Sequence, residues 1–359
     1  AVYGARGANG VIIVTTKKGS DGKPSVSYNG YYGVKTQAHM PNMMNSRQFY
    51  DLYQDEDKFG RGFTAQELYN VNNGITTDWL DLVSQRAVQQ NHTVSVAGGS
   101  ESTTYNFSAG KQEENGMVQN NQYTRLSLNA GIESQVSEKM KVGFTAYITD
   151  NERDWGSLEA VRSAMRSRPT GTAYFNDIVE PNKRDTNFGP VGPYAFYMGI
   201  NDSQVINPLV EISPDNYQRQ RRSNSVIANA YLQYEIIPGL KFKTSYSAYN
   251  NNQREGEYRG TFTKAQKGSR NPRAFTNNLK TANFTIDNTL NYIKEIGKHS
   301  IDATALFSVF EEYQESMEIA VQDLPYRSLW HNTGSGATIE AYNTNLQEYC
   351  IVSFVGRIN

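Results

Sequence analysis

Cysteine is almost absent from this chain of 359 residues, in which Cys350 is the only example. A single cysteine cannot form an internal disulfide, so strand pairing and burial must hold the fold together. A strong charge of either sign is also missing, because 35 Lys and Arg residues face 36 Asp and Glu residues. This balance gives no electrostatic reason to expect nucleic acid as a partner.

Long apolar runs are missing as well. No stretch approaches the ~18 apolar residues of a membrane-spanning helix, and the mean hydropathy is −0.64. A strand that crosses a membrane needs to be apolar on only one face, so a membrane protein built from strands is still compatible with these values. Aromatic residues are abundant instead, with 24 Tyr and 15 Phe, as in barrels with aromatic girdles at the membrane–water boundaries.

Apolar and polar residues alternate with period two in many segments, of which Thr124–Ile132 and Val142–Ile148 are clear examples. Such alternation is typical of strands in a sheet with two different faces. Most of these segments exceed the ~5–6 residues of globular strands and reach the ~9–11 needed to cross a bilayer. The sequence predicts about ten strands, near 24–36, 90–100, 102–115, 121–135, 139–150, 223–236, 239–254, 278–294, 298–317 and 346–359.

The predicted connections alternate between short and long, as in outer-membrane barrels with short periplasmic turns and long extracellular loops. One connection, near Gly116–Asn121, is short where a long one is expected. In the first long connection, Thr64 and Glu67 form the pattern of a helix capping box, and a second helix is expected to start near Thr77. The long connections are expected near 37–89, 151–222, 255–277 and 318–345.

These features predict an all-β fold, a transmembrane antiparallel β-barrel of which this chain is one part. Residues Ala1–Gly10 lack the charged and apolar regions of a secretory leader, and Arg357–Asn359 still lies in an alternating pattern. We therefore expect the chain to be a piece of a longer protein. Further strands would have to close the sheet, because unpaired backbone groups are not tolerated in lipid.

The first 19 residues, AVYGARGANGVIIVTTKKG, resemble the end of the plug domain in the SusC/RagA family of TonB-linked outer-membrane proteins. Residues Thr77–Trp79, Gln90–Gly99 and Ser353–Asn359 resemble later landmarks of the same family. The residues of the opening motif that carry the resemblance are Tyr3, Gly4, Arg6, Gly7, Asn9 and Gly10.

The resemblance implies a plug that ends with residues 1–19 and a wall that begins with residues 20–359, in a barrel of about 22 strands when complete. It also implies two protein partners. One is the inner-membrane TonB complex, which acts through a segment that the resemblance places upstream of residue 1. The other is a surface lipoprotein of the SusD type, with an oligosaccharide or a peptide as the substrate.

Aromatic residues with polar neighbours in the connection 151–222 are candidates for contacts with such a substrate. Aromatic faces beside amide and carboxylate groups suit a sugar or a peptide. The same residues could instead pack the loop on itself or on a partner protein. The candidates are Trp155, Tyr174, Phe175, Phe188 and Tyr194.

Neither a catalytic constellation nor a metal motif is evident, so we expect no enzyme activity and no cofactor. An acidic group in the first long connection could bind calcium but lacks the order of an EF-hand loop, and a solvated helix end is the favoured interpretation. Its members are Asp51, Asp55, Glu56 and Asp57.

The leading hypothesis is TonB-dependent import of an oligomeric nutrient, a glycan or a peptide, in the outer membrane of a Gram-negative cell. A TonB-dependent iron-chelate transporter is the nearest alternative. A surface adhesin barrel without a transport role is a lower alternative, because it would need no plug. A secreted all-β enzyme that degrades glycans would require a carboxylate pair that no pattern in the sequence specifies.

Overall fold

A computed structural model describes residues 19, 21–55, 62–179, 192–195, 205–266, 271–297, 299–327 and 331–359. The predicted plug-end motif, from Tyr3 to Gly10, lies outside the described residues. No helix in the described part of the chain is long and apolar enough to cross a membrane.

Ten strands, five α-helices and two short 3₁₀ helices (Phe175–Asp177 and Thr333–Ser335) make up the described structure. The helices are α1 (Ser46–Asp55), α2 (Ala65–Asn72), α3 (Trp79–Val83), α4 (Leu158–Arg166) and α5 (Pro208–Ile212). The strands are β1 (Gly22–Lys35), β2 (Ala87–Gly99), β3 (Thr103–Asn115), β4 (Gln122–Ser137), β5 (Met140–Asp154), β6 (Tyr217–Ile237), β7 (Leu240–Arg259), β8 (Arg273–Ile296), β9 (His299–Gln322) and β10 (Thr338–Ile358).

The strands form one antiparallel sheet in which each strand pairs with its neighbour in sequence, from β1 to β10. All ten predicted strands are confirmed, and their lengths run from 13 to 24 residues. This up-and-down order needs no crossover, because each connection joins adjacent antiparallel strands.

One face of the sheet is apolar and the other is polar. Within the apolar band the register places apolar residues opposite apolar residues, as where Leu128 on β4 faces Ala109 on β3 and Ile148 on β5. The other face carries mostly Ser, Thr, Asn and Gly, as at Ser127 and Asn129. In a barrel wall, the apolar face meets lipid and the polar face lines the interior.

The apolar band crosses the sheet obliquely. A row of directly paired residues that starts at Val26 stays apolar as far as Phe284 on β8, and then reaches Glu311 on β9. The apolar residues of β9 lie closer to its short turn, from Ala303 to Val309. Strands that are tilted to the plane of the band produce this drift, and strand tilt is a requirement of barrel closure.

The apolar face is exposed in the described structure. Leu128 keeps 54% of its surface accessible, and Phe107 and Phe144 keep 50% and 45%. Among the described residues, no second sheet covers this face. An exposed apolar face of this extent indicates a lipid or protein environment rather than water.

Short turns lie at one end of the sheet and long connections at the other. Pro238 and Gly239 join β6 to β7, and Gly239 has a φ of 83°. A type II turn requires this positive φ at its third residue and favours Pro before it. Gly297, with a φ of 62°, has the same left-handed conformation after β8.

Most of the strands that border the long connections extend further towards them than the alternation predicts, whereas β1 ends one residue earlier. In the structure, the long connections span residues 36–86, 155–216, 260–272 and 323–337. The predicted connections are 37–89, 151–222, 255–277 and 318–345. Beyond the apolar band both faces of a strand are polar, as in Arg219–Arg222, so no apolar residue marks the alternation there. The connection 116–121 is short, as its sequence indicates.

The assignment of the two faces predicts different effects for neighbouring substitutions. Leu128→Arg places a charge in the middle of the apolar band and should destabilise the barrel by ~2–4 kcal/mol. Asn129→Arg adds the same charge on the polar face and should have a much smaller effect. Equilibrium unfolding of the full-length protein in lipid vesicles measures both, and equal losses would show that the faces are assigned wrongly.

Candidate functional site in the long connections

The connections β1–β2 and β5–β6 pack together at the end of the sheet that carries the long connections. Their helices α3, α4 and α5 share one apolar core although they lie far apart in sequence. We call this assembly the loop layer, and its core consists of Trp79, Leu80, Val83, Ala160, Ala164, Ala173, Leu209 and Ile212. It places several polar groups in defined positions at the sheet end.

Local capping signals fix where the helices of the loop layer begin. The predicted capping box before α2 is confirmed, since the Thr64 amide donates to Glu67 Oε2 at 2.9 Å and the Glu67 amide donates to Thr64 Oγ1 at 3.1 Å. Asp78 caps α3 by accepting the Asp81 amide at 3.0 Å. Both caps satisfy amides that have no partner within the first turn of a helix.

Glu67 also joins the two connections. Its side chain is fully buried, and Oε1 accepts the Thr170 hydroxyl at 3.0 Å and the Arg168 guanidinium at 3.4 Å. The guanidinium lies 5.0 Å from the centre of the Tyr53 ring and 5.6 Å from that of Phe63. A buried carboxylate is tolerated only when its oxygens are paired in this way.

Glu211 on α5 is a second buried carboxyl group in the loop layer, with 3% of its surface exposed. It accepts hydrogen bonds from the Ser157 hydroxyl at 3.1 Å and from the Lys264 amide. Burial raises the pKa of Glu211, and these two bonds only partly oppose the rise. Glu211 thereby ties α5 to the cap of α4 and to the connection β7–β8.

A cavity of about 480 Å³ lies beside Trp155, between the loop layer and the polar face of the sheet. Acidic and basic groups both line it, so it suits a ligand with polar groups of either sign. Its charged lining consists of Glu159, Arg162, Glu211, Arg219, Glu257, Arg259 and Lys264.

Trp155 itself is surrounded by arginines. The guanidinium carbons of Arg219, Arg221 and Arg153 lie 4.7, 4.9 and 5.4 Å from its ring centre. Arg219 and Arg221 each donate two hydrogen bonds to Glu255, at 2.6–2.9 Å. Cations therefore contact the ring, and Trp155 is better placed to hold the arginines than to stack freely on a ligand.

Tyr174 and Tyr194 lie beside each other elsewhere in the connection β5–β6, and neither lines the charged cavity. They form an isolated β-bridge, and their ring centres are 6.0 Å apart. Tyr194 packs on the core of the loop layer, and burial raises its pKa. Tyr174 is 39% exposed, so it is the more accessible residue of the two.

The structure does not gather the predicted substrate contacts into one site. Of the described candidates, only Trp155 lines the charged cavity. Phe175 adjoins Tyr174, and its amide donates to the Pro193 carbonyl at 3.0 Å. Phe188 lies outside the described residues. The role of these residues in substrate binding stays a prediction.

The acidic group of the first long connection is only partly described. Asp51 pairs with Arg47 at 2.9 Å along α1. The Asp55 side chain, Glu56 and Asp57 lie outside the described part. The described residues contain no cluster of three or more side chains arranged to hold a metal ion.

The cluster of Arg219, Arg221 and Glu255 was not predicted from the sequence. The sequence does contain a signal for it. Arg219 and Arg221 lie two residues apart on β6, and Glu255 and Glu257 lie two residues apart on β7, so each pair shares one face of its strand. Opposite charges with period two on neighbouring strands indicate a cross-strand ion pair network. The pattern is missed when 151–222 is taken as one long connection, because Arg219 and Arg221 then fall outside the predicted strand.

The raised pKa of Glu211 predicts how stability changes with pH. Between its unfolded value of about 4.3 and its higher folded value, the folded loop layer binds more protons than the unfolded chain, so its stability falls as pH rises. Glu211→Gln should remove this part of the pH dependence. Hydrogen-exchange protection of α4 and α5 at several pH values measures the effect.

Asp215→Asn is the matched control, because this carboxylate is 86% exposed. It should leave the fall in protection between acidic and neutral pH unchanged. If the wild-type protein and Glu211→Gln lost protection equally over that range, Glu211 would not be the responsible group.

Comparisons with known proteins agree with this architecture. No family model matches the chain. The TonB-dependent receptor P3 of Formosa agariphila is 27% identical over 371 residues, which cover 100% of this chain and 34% of the receptor. The TonB-dependent receptor SusC of Bacteroides thetaiotaomicron is 26% identical over 328 residues, which cover 84% of this chain and 30% of SusC. The chain thus spans about a third of the length of the curated relatives it matches.

Solved structures of the RagAB peptide transporter have the same fold. One superimposes with a TM-score of 0.76 at 20% identity, over 100% of this chain and 43% of the solved chain. Another, of the RagAB peptide importer in a closed-closed state, gives a TM-score of 0.75. The chain is therefore part of an antiparallel β-barrel of this type, and its resemblance to the SusC/RagA family of TonB-dependent receptors is confirmed.

Proposed function

We propose that the full-length protein imports an oligomeric nutrient, a glycan or a peptide, across the outer membrane in a TonB-dependent way. The observation that carries this proposal is the similarity to TonB-dependent receptors, which extends over the whole chain. SusC is among these relatives, and the fold is that of a peptide importer. The relatives are named as receptors, so we propose no enzymatic step.

The charged cavity beside Trp155 is the proposed first contact for the substrate on the polar face of the wall. It lies where the long connections meet the sheet, which is the outer end of such barrels. Its acidic and basic groups, including Arg162 and Glu159, can bind hydroxyl, amide or charged groups of an oligomer. Tyr174 supplies an exposed aromatic ring elsewhere in the loop layer.

A surface lipoprotein of the SusD type is the proposed partner, together with the TonB complex. The loop layer offers an apolar groove of about 400 Å³ whose lining includes Met43, Met44 and Met165. All three side chains are exposed, by 46%, 47% and 49%. Exposed methionines adapt to a protein surface, so this groove supports a protein partner at the outer end.

An iron-chelate transporter is the nearest alternative, since it would share the barrel. The similarity to SusC favours the nutrient importer. An adhesin without transport would not account for the similarity to transport receptors along the whole chain.

Gentle detergent purification of the full-length protein from outer membranes tests the proposal. We expect it to fractionate with that membrane and to bring down a stoichiometric surface lipoprotein, identified by mass spectrometry. Presence in the membrane without such a partner would favour the iron-chelate transporter. A protein that does not fractionate with the outer membrane would contradict the whole proposal.

Substitution of Tyr174 tests the candidate substrate contacts. If the exposed ring stacks on the substrate, Tyr174→Ala should weaken binding by about fivefold to tenfold, as expected for loss of ~1–1.5 kcal/mol of aromatic contact. Ile75→Ala is the matched control, since this side chain is 44% exposed in the other connection of the loop layer. Titration calorimetry in the presence of the co-purified lipoprotein measures the affinity of both variants for the oligomer that this lipoprotein binds. Equal affinities for wild type and Tyr174→Ala would exclude Tyr174 as a contact.

A further inference from the structure

A row of direct cross-strand partners that is rich in tyrosine crosses the polar face of the wall, with one residue from each of seven neighbouring strands. These strands lie ~4.8 Å apart, so the row spans ~29 Å. The polar face otherwise carries mostly Ser, Thr, Asn and Gly. We call these residues the tyrosine row: Asn129 on β4, Tyr147 on β5, Ile227 on β6, Tyr249 on β7, Asn283 on β8, Glu312 on β9 and Tyr349 on β10.

The tyrosine row runs obliquely along the interior of the wall. At its β4 end, the adjacent lipid-side pair is Leu128 and Ile148, which belong to the apolar band. At its β10 end, the adjacent lipid-side pair is Tyr313 and Glu348, which lie beyond the band towards the long connections. A strand tilt of ~35–45° produces this slope. An oligomer that follows the row therefore passes from the outer end of the wall towards its middle.

The centre of the row offers side chains that are available for a ligand. Tyr147 and Tyr249 are half-buried, and Ile227 keeps 40% of its surface accessible. Among the described residues, neither tyrosine has a hydrogen-bond partner for its hydroxyl or a ring contact. Each can stack its ring on a ligand and also donate or accept a hydrogen bond.

An uncharged surface joins the row to the charged cavity beside Trp155. On the polar face of β5, β6 and β7, all residues in 143–151, 223–233 and 245–253 are uncharged. Hydroxyl and amide groups pair across these strands, since Ser223 Oγ donates to Asn251 Oδ1 at 2.8 Å. Arg219 of the cavity precedes Ile227 by eight residues, or ~26 Å along β6. The row thus continues inward from the proposed first contact.

Charged groups lie at the borders of this surface. Arg125 and Glu133 on β4, and Asp287 on β8, are each four residues from the row, or ~13 Å along their strands. Glu133 is paired with Lys141 at 2.6 Å. Glu312 is the one charged member of the row, and it accepts the Asn283 amide at 3.3 Å.

This arrangement suits an uncharged sugar chain better than a peptide. Sugar rings have apolar C–H faces that stack on aromatic rings, and hydroxyls that bond to amide, phenol and carboxylate groups. A peptide of mixed sequence carries charged side chains. The uncharged surface offers them no counter-charge, so their loss of water would be uncompensated.

We propose that the tyrosine row is a binding track for an uncharged oligosaccharide on the interior of the wall. Tyr147 and Tyr249, two strands or ~10 Å apart, contact different sugar units of one chain. Ile227 contacts the apolar sugar face between them, and Asn283 and Glu312 bond to hydroxyls further along. The inference rests on the proposed function, since it requires the interior to be a passage, and it selects a glycan over a peptide.

Titration calorimetry on the full-length protein in detergent tests the track. The probes are four uncharged oligomers, namely maltohexaose, cellohexaose, xylohexaose and mannohexaose, and a hexapeptide with one lysine and one glutamate. At least one of the uncharged oligomers should bind more tightly than the peptide. Y147A/Y249A should weaken that binding about tenfold or more, because two aromatic contacts are lost. Y147F/Y249F keeps both rings and should lose severalfold less.

The matched control is Y234A/Y246A, which removes two tyrosines from the lipid side of β6 and β7. These side chains are 41% and 48% exposed. The control should bind the oligosaccharide like the wild type. Retention of the folded barrel in each variant is checked by the heat-dependent shift of its mobility in SDS gels.

Three results would overturn the inference: no binding of any uncharged oligomer, tighter binding of the peptide, or equal affinity of wild type and Y147A/Y249A for the oligosaccharide. If Y147A/Y249A kept that affinity but unfolded more readily than Y234A/Y246A, the row would instead pack against another part of the protein. None of these results changes whether the protein fractionates with the outer membrane and a surface lipoprotein. The proposed function therefore stands or fails separately.

Discussion

The backbone hydrogen-bond ladder of a sheet in lipid is the constraint on which the rest of this structure depends. Lipid offers no partner for amide and carbonyl groups, so each strand must pair with its neighbours along its full membrane length. The side chains then alternate strictly between the two faces, and a slip of one residue would move every apolar side chain to the wrong face. The nine strand pairs keep the register in which Leu128, Ala109 and Ile148 share one face.

The same alternation gives neighbouring residues of the extended strand ends different roles. Arg221 points to the polar face and binds Glu255 beneath Trp155, whereas Arg222 points to the lipid side and faces Arg254. Beyond the apolar band, a strand can carry charge on both faces while its backbone ladder remains paired. One stretch of β6 therefore contributes charged side chains to both faces of the wall, to the charged cavity on one face and to the ion pair of Arg222 with Glu152 on the other.

The sequence predicts the parts of the fold that depend on local pattern. All ten strands were predicted, because one apolar face gives a period-two signal, and the ends at the short turns are close to those observed. At the end with the long connections the predicted strands are too short, because Arg219–Arg222 and Arg254–Glu257 are polar on both faces. The Thr64 cap was predicted because its partners are three residues apart. The core shared by Trp79 and Ala164 and the arginines around Trp155 join residues distant in sequence, and no local pattern marks them.

The buried carboxyl groups explain how the loop layer can keep one shape at the end of the sheet that carries the long connections. Its apolar core is small, and apolar side chains alone could pack in several arrangements with similar free energy. Glu67 and Glu211 tolerate burial only where Thr170, Arg168, Ser157 and the Lys264 amide meet them. Any other packing would leave a buried carboxylate without partners, which destabilises strongly. We infer that these two groups select one arrangement of the connections, and thereby hold in fixed positions the charged cavity and the groove lined by Met43, Met44 and Met165.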